Sequence, residues 1–89
     1  MKYKLQLTRK AKNDFLELDI KIQKRIANKF RFYISNNQPL KYAKKLTDAR
    51  LGTYRFRIGD YRAIFDIDNK GNIQILIILR IKHRKEVYL

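Results

Sequence analysis

The sequence predicts a small α+β domain in which a helical hairpin packs on one face of a twisted, mainly antiparallel sheet. Three observations support this: a length of 89 residues, two segments with helical apolar spacing near the start, and three segments of strand character in the second half. A chain of this length can bury one core under one sheet. We therefore expect a single domain over residues 1–89, with the order β-α-α-β-β-β.

The first half of the chain carries the predicted first strand and the helical hairpin. Apolar and polar residues alternate over 3–7, as in a half-buried strand. Thr8 can cap a helix over 9–18, and Asp19 can cap a second one. In this second helix apolar residues recur every three or four positions, at Ile22, Ile26 and Phe30. The run 35–39 ends the pattern, because its residues compete for backbone hydrogen bonds.

The second half is predicted to form three strands, at about 53–58, 61–68 and 72–81, after a basic and irregular segment over 40–51. Gly59 and Asp60 have the composition of a two-residue hairpin turn, since glycine tolerates positive φ and aspartate bonds to its own backbone. Residues 68–72 are predicted to form a second hairpin turn. The last strand is apolar on both faces over 75–79, so we expect it inside the sheet rather than at an edge.

The charge of the chain indicates a polyanionic partner. Lysine and arginine number 22 against 8 acidic residues, which gives a formal net charge of +14. No acidic residue lies between Ile20 and Thr47, where we expect a basic helix face and a basic loop. A solvated helix surface explains any single lysine there. The self-repulsion of the whole set favours a binding role.

Composition argues against several classes of site and location. There is no cysteine and only one histidine, so we expect no disulfide, no metal site and no cofactor. The longest apolar run, 75–79, is far too short to cross a bilayer. The start of the chain lacks the apolar stretch of a signal peptide. We therefore expect a cytoplasmic protein without a membrane partner.

Basic residues are concentrated on segments that we expect to be neighbouring strands. As a strand, 54–58 places Arg55 and Arg57 opposite its apolar face, and the turn returns Arg62 beside Arg57. The planar fork of arginine suits phosphate, so we expect a site for RNA phosphate. For Arg55 and Arg57 the alternative is that they coat an exposed sheet face or pair with an acidic partner protein. The other candidate phosphate ligands are Lys45, Arg80, Lys82, Arg84 and Lys85.

Three pieces of the sequence, in this order and spacing, resemble the RelE family of bacterial and archaeal toxins within the RelE/ParE superfamily. They are KLTDARLGTYRFRIGDYR over 45–62, the apolar strand over 72–79, and HRKEVY over 83–88. The resemblance implies a metal-independent endoribonuclease that cleaves messenger RNA in the ribosomal A site by attack of the RNA's own 2′-hydroxyl. It also implies three partners: the ribosome, messenger RNA and a cognate acidic antitoxin. The chain would be monomeric when free and hetero-oligomeric with the antitoxin.

The resemblance assigns roles to individual residues. Arg62 matches the family's phosphate-stabilising arginine, and Tyr88 matches the tyrosine that stacks on or orients the substrate nucleotide. Lys82 or Arg84 falls where a further basic residue assists the leaving group. From the strand pattern we expect the Arg62 guanidinium to lie outside the core, so that its removal leaves folding intact.

The sequence departs from the family at the proton acceptor. Arg55 and Arg57 occupy places that are often lysines, and arginine is too basic to accept a proton efficiently at neutral pH. His83 is the only histidine, the residue type best suited to proton transfer near neutrality, and is our candidate general acid or base. A structural role at a strand end is the alternative. Glu86 orients His83 or pairs with Arg84 at the surface.

Three functions remain compatible with these residues. The first is the RNA endonuclease toxin, and the second is a ParE-like toxin of the same fold that is no nuclease and inhibits DNA gyrase by binding it. The third is a small structural RNA-binding protein, which explains the charge but not the clustered ending. His83 and Tyr88 favour the first function, whereas arginines in place of catalytic lysines leave the second open.

Overall fold

Five strands form one open sheet in a computed structural model that describes residues 2–47, 50 and 52–87. In chain order they are β1 (Lys2–Leu7), β2 (Ala43–Lys45), β3 (Tyr54–Ile58), β4 (Tyr61–Lys70) and β5 (Ile73–His83). Their order in the sheet is β1-β5-β4-β3-β2. β1 runs parallel to β5, and the other pairs are antiparallel. The predicted fold class and the interior position of the last strand are confirmed.

Within the described residues, three helices accompany the sheet: α1 (Arg9–Leu16), α2 (Ile20–Ser35) and α3 (Arg84–Val87), with a 3-10 helix at Pro39–Tyr42. Thr8 caps α1 as predicted, because its Oγ1 accepts a hydrogen bond from the backbone N–H of Ala11 at 3.1 Å. α3 and β2 were not predicted from the sequence. Each is too short for a periodic pattern, and β2 exists through its pairing with β3. None of the described helices is long and apolar enough to span a bilayer.

The core lies between the sheet and α2 and is built around stacked aromatic rings. Tyr33 of α2 stacks on Phe56 of β3 with ring centroids 4.0 Å apart, and Phe56 stacks on Phe65 of β4 at 4.4 Å. The predicted turn between these strands is confirmed: Gly59 has φ of 59°, the left-handed value that the first position of a type II′ turn requires. The turn sets Arg57 opposite Arg62 in the ladder.

A bulge at Leu79 interrupts the alternation of side chains along β5. It lies between the pairs Ile64↔Arg80 and Phe65↔Ile78. Leu79 has no partner of its own in β4 and forms a bulge. The residues after it therefore lie on the faces opposite to those that strict alternation along the sequence would give. Ile78 and Ile81 therefore both pack in the core, although they are an odd number of residues apart. Lys82 is turned to the opposite face.

Asp14 of α1 holds the far end of β5. β1 pairs with β5 only as far as Ile78, and α1 takes its place along that edge. The Asp14 carboxylate accepts hydrogen bonds from Arg80 Nε at 2.8 Å, Arg80 Nη2 at 3.1 Å and the Ile81 N–H at 2.9 Å. Burial alone would raise the pKa of Asp14, but these hydrogen bonds and the nearby cations bring it below its usual value.

We expect Asp14→Asn to lower the free energy of unfolding by about 1 to 3 kcal/mol near neutral pH, because a charged hydrogen-bond acceptor is lost. A depressed carboxyl pKa stabilises the fold above about pH 4 and ceases to do so as the pH falls through the folded-state value. The difference between wild type and variant should therefore shrink in urea unfolding at lower pH. Asp68→Asn is the control, since the Asp68 carboxylate lies in an exposed pair with Lys70 at 3.8 Å. If wild type and Asp14→Asn differed in free energy of unfolding by the same amount at every pH, the stabilising role of the Asp14 carboxylate would be contradicted.

Candidate functional site

Three cations form a row across the sheet. Arg57 of β3 pairs with Arg62 of β4, which pairs in turn with Lys82 of β5. Direct cross-strand partners share a face, with Cα atoms about 4.5 to 5.5 Å apart. We call Arg57, Arg62 and Lys82 the cation row, and the side of the sheet that carries it, opposite α2, the open face. The predicted approach of Arg62 to Arg57 is confirmed.

A second row lies beside the first on the open face: Lys44, Arg55, Ile64 and Arg80. Lys44 was missed by the sequence analysis, which selected Lys45 instead. Lys45 pairs with Tyr54 and therefore lies on the opposite face. The pairing of β2 with β3 decides between the two lysines, and no local pattern revealed that pairing. Arg80 is directed to Asp14, so its guanidinium is already paired.

Arg62 is buried, and the expectation that its guanidinium lies outside the core is wrong. Only 2% of the residue is exposed. Nη1 donates to the carbonyl oxygens of Gly59 and Tyr61, each at 2.9 Å, and Nε has no partner. The side chain folds back over the turn, where these carbonyls need donors. Within the described part of the chain, no carboxylate pairs with Arg62 or Arg57.

A buried cation without a counter-charge is costly, since desolvation disfavours the charged form and arginine does not give up its proton. An anion bound beside Arg62 would offset that cost. The neighbours in the row reinforce the preference, because Arg57 is exposed and Lys82 Nζ lies 3.8 Å from Glu86 Oε2, too far for a direct hydrogen bond. The cation row is therefore suited to a phosphate group.

The turn also fixes the start of α3. The Asp60 carbonyl accepts the N–H of Arg84 at 2.7 Å, and the Asp60 carboxylate lies 3.7 Å from Arg84 Nε. Arg84 and Lys85 are exposed at this end of the sheet. Tyr88 lies outside the described residues, so its predicted role as the terminal aromatic stays a prediction.

His83 does not join the cation row. It pairs with Tyr61 on the core side of the sheet, with the two rings edge to face at 5.4 Å. Its Nδ1 accepts the N–H of Lys85 at 3.2 Å, and its own N–H donates to Glu86 Oε1 at 3.2 Å. A general base must come within hydrogen-bond reach of the proton it removes. The geometry therefore favours the structural alternative for His83, and Glu86 pairs with Lys82 rather than Arg84.

The two rows can bind and neutralise phosphate through their arginine and lysine side chains, and they contain neither a carboxylate nor a histidine. Asp66, farther along the open face, accepts hydrogen bonds from the N–H and Oγ1 of Thr53 at 2.8 and 2.7 Å. Among the described residues, no group of three or more potential ligands could hold a metal ion.

Comparison with known proteins relates this chain to one group. The family described as "ParE toxin of type II toxin-antitoxin system, parDE" matches residues 5–88. Toxin RelG of Mycobacterium tuberculosis is 31% identical over 88 residues, which cover 99% of this chain and 98% of that protein. A chain of a RelBE toxin–antitoxin complex from the same organism matches with a TM-score of 0.70 and 28% identity, over 94% of this chain and 100% of the other. A chain of the RelB–RelE complex from Methanococcus jannaschii matches with a TM-score of 0.60 and 25% identity, over 93% of this chain and 94% of the other.

We expect inorganic phosphate, at constant ionic strength, to raise the melting temperature of the wild type more than that of Arg62→Met. A ligand that binds only the folded state stabilises it, and methionine removes the buried charge while filling most of its space. In a domain of this size, each kcal/mol added to the free energy of unfolding raises the melting temperature by about 4 to 8 °C. Arg9→Met, at an exposed position of α1, controls for net charge and for the general effect of phosphate on stability. An equal shift in all three proteins would contradict anion binding at Arg62.

Proposed function

The chain belongs to the RelE/ParE superfamily of toxins from type II toxin–antitoxin systems, and we propose that it is an endoribonuclease that cleaves messenger RNA in the ribosomal A site. The observation that carries this proposal is the cation row on the open face, with the buried charge of Arg62, which has no carboxylate partner among the described residues, at its centre. The positive charges of the row complement the negative charge that develops on a phosphate while a nucleophile attacks it.

In the proposed reaction the 2′-hydroxyl of the RNA loses its proton and attacks the adjacent phosphorus, and the bond to the 5′ oxygen breaks. Arg57 holds the phosphate, and the buried charge of Arg62 beside it helps to stabilise the added negative charge of the transition state. Lys82 stabilises the charge on the departing 5′ oxygen, which then takes up a proton. Because the two rows contain neither a carboxylate nor a histidine, we assign removal of the 2′ proton to the ribosome-bound messenger complex. Dependence on the ribosome follows from this assignment.

We further propose a cognate acidic antitoxin as the partner that blocks the toxin. Two of the structural relatives above are toxin–antitoxin complexes. In this chain β1 is an edge strand, and beside it an apolar groove opens between the sheet and the helices. The groove is lined by Leu5, Leu7, Phe15, Ala27, Phe30, Arg31 and Ile34. An antitoxin segment that is both acidic and apolar would fill the groove and offset part of the net charge of +14.

A second candidate function is inhibition of DNA gyrase by binding, without nuclease activity. It is favoured by the position of His83 on the core side of the sheet, which leaves the two rows without a histidine or a carboxylate. The family that matches residues 5–88 is also described as a ParE toxin. In this alternative the cation row binds its target without cutting RNA.

We expect that induced expression in bacteria stops growth, that translated messages acquire new 5′ ends, and that gyrase supercoiling is unchanged. The reason is that the cation row is suited to the backbone of single-stranded RNA. Primer extension on messages and a supercoiling assay with purified protein separate the two functions. Intact messages together with inhibited gyrase would assign the chain to the gyrase-binding class.

Arg57→Gln should slow single-turnover cleavage on programmed ribosomes by about 100- to 1000-fold, the usual effect of losing one donor to a transition-state oxyanion. Its fold should survive because Arg57 is exposed. Arg9→Gln removes the same charge from α1 and should cut at nearly the wild-type rate. His83→Gln should also retain cleavage, since the side chain lies on the other face. A large loss for His83→Gln with an intact circular dichroism spectrum would return that residue to the mechanism.

A further inference from the structure

A second cationic surface lies on α2 and the 3-10 helix, away from the open face. We call it the helix patch, and its residues are Lys21, Lys24, Arg25, Lys29, Phe32, Lys41 and Tyr42. Within the described ranges none of its five cations forms an ion pair. No acidic residue occurs in the sequence from Lys21 to Leu46 to balance them. The helix patch is therefore a concentrated positive surface.

Two exposed aromatic rings lie within this charge. Phe32 is 45% exposed and Tyr42 is 37% exposed, and their rings meet edge to face with centroids 5.2 Å apart. Lys29 Nζ lies 5.7 Å from the centroid of Phe32, and Lys41 Nζ lies 5.7 Å from that of Tyr42. Tyr42 also contacts the buried ring of Tyr33 at 5.5 Å, so the exposed pair is anchored to the core.

We propose that the helix patch binds an unpaired segment of RNA, with a base stacked on the Phe32–Tyr42 pair and the flanking phosphates on the lysines. Aromatic rings among cations are the usual means of binding single-stranded nucleic acid, since every base has a face that can stack. The charge favours RNA over an apolar protein segment, because the exposed apolar area is limited to two rings with cations on either side. RNA binding here does not depend on whether the open face cleaves RNA.

The helix patch and the cation row meet at the turn between β3 and β4. A Cβ atom built on Gly59 would lie 2.8 Å from Arg25 Nη1, which shows that Arg25 of α2 rests against this turn. The carbonyl of the same glycine accepts the hydrogen bond from Arg62. One RNA strand can therefore contact both surfaces, with the turn between them.

The charged part of the helix patch is tested by a matched pair of double variants. Lys24→Gln with Lys29→Gln should weaken binding of a short fluorescent oligouridylate and reduce the log–log salt slope by about 1.4, at about 0.7 per lost phosphate contact. Lys10→Gln with Lys12→Gln removes the same charge from exposed positions of α1 and should leave the slope nearly unchanged. Equal effects of the two double variants would show that only net charge matters, and would overturn the proposed site.

The aromatic part is tested with Phe32→Leu, which keeps an apolar side chain but lacks a ring. Binding of oligouridylate should weaken by about 5- to 140-fold, the range of one base stack on an aromatic side chain. Binding of an abasic oligonucleotide of the same length should not change. An equal loss for oligouridylate, abasic RNA and poly-L-glutamate would make the surface a general acidic-polymer or protein site and overturn base stacking. If both patch variants bind RNA as tightly as the wild type and still cleave messenger RNA on the ribosome, the proposed RNA site is wrong and the cleavage proposal stands.

Discussion

The pairing register between β3 and β4 is the constraint on which the rest of the structure depends. The two-residue turn at Gly59 and Asp60 sets Arg57 opposite Arg62 and Phe56 opposite Ala63. A slip of one residue would move the arginines into the core and the aromatic ring of Phe56 to the open face, because side chains alternate with a period of two. The core and the cation row are thus two consequences of one hydrogen-bond register. Arg62 reinforces that register by donating to the carbonyls of the turn.

The extra residue in β5 decides which basic residues join that row. If Leu79 were paired in a regular ladder instead of forming a bulge, strict alternation from Ile78 would place Lys82 on the core side and His83 on the open face beside Arg62. With the bulge, Lys82 completes the row and His83 packs against Tyr61. The bulge at Leu79 therefore separates the histidine from the cation row.

These two features also show how far the sequence alone could lead. The α+β class, the cap at Thr8, the turn at Gly59 and the approach of Arg57 to Arg62 each rest on local pattern or turn chemistry, and each was predicted. The bulge in β5 lies in an apolar run that is hydrophobic in either register, so alternation could not reveal it. The short strand β2 depends on its pairing with β3, so no local pattern could show that Lys44 rather than Lys45 lies on the open face. The burial of Arg62 depends on carbonyls that become available only once the turn has formed.

The distribution of charge over the surface follows from the same strand pairing. Cations occupy the open face and the helix patch, while Asp14, Asp60 and Glu86 pair with the basic residues nearest to them, at the edges of the cation row. The intramolecular ion pairs among the described residues thus leave the centre of the row, at Arg57 and Arg62, without a counter-charge. Such a surface raises the local concentration of polyanions and speeds their approach. On the proposals above, an acidic antitoxin and an RNA strand would both be attracted by this field.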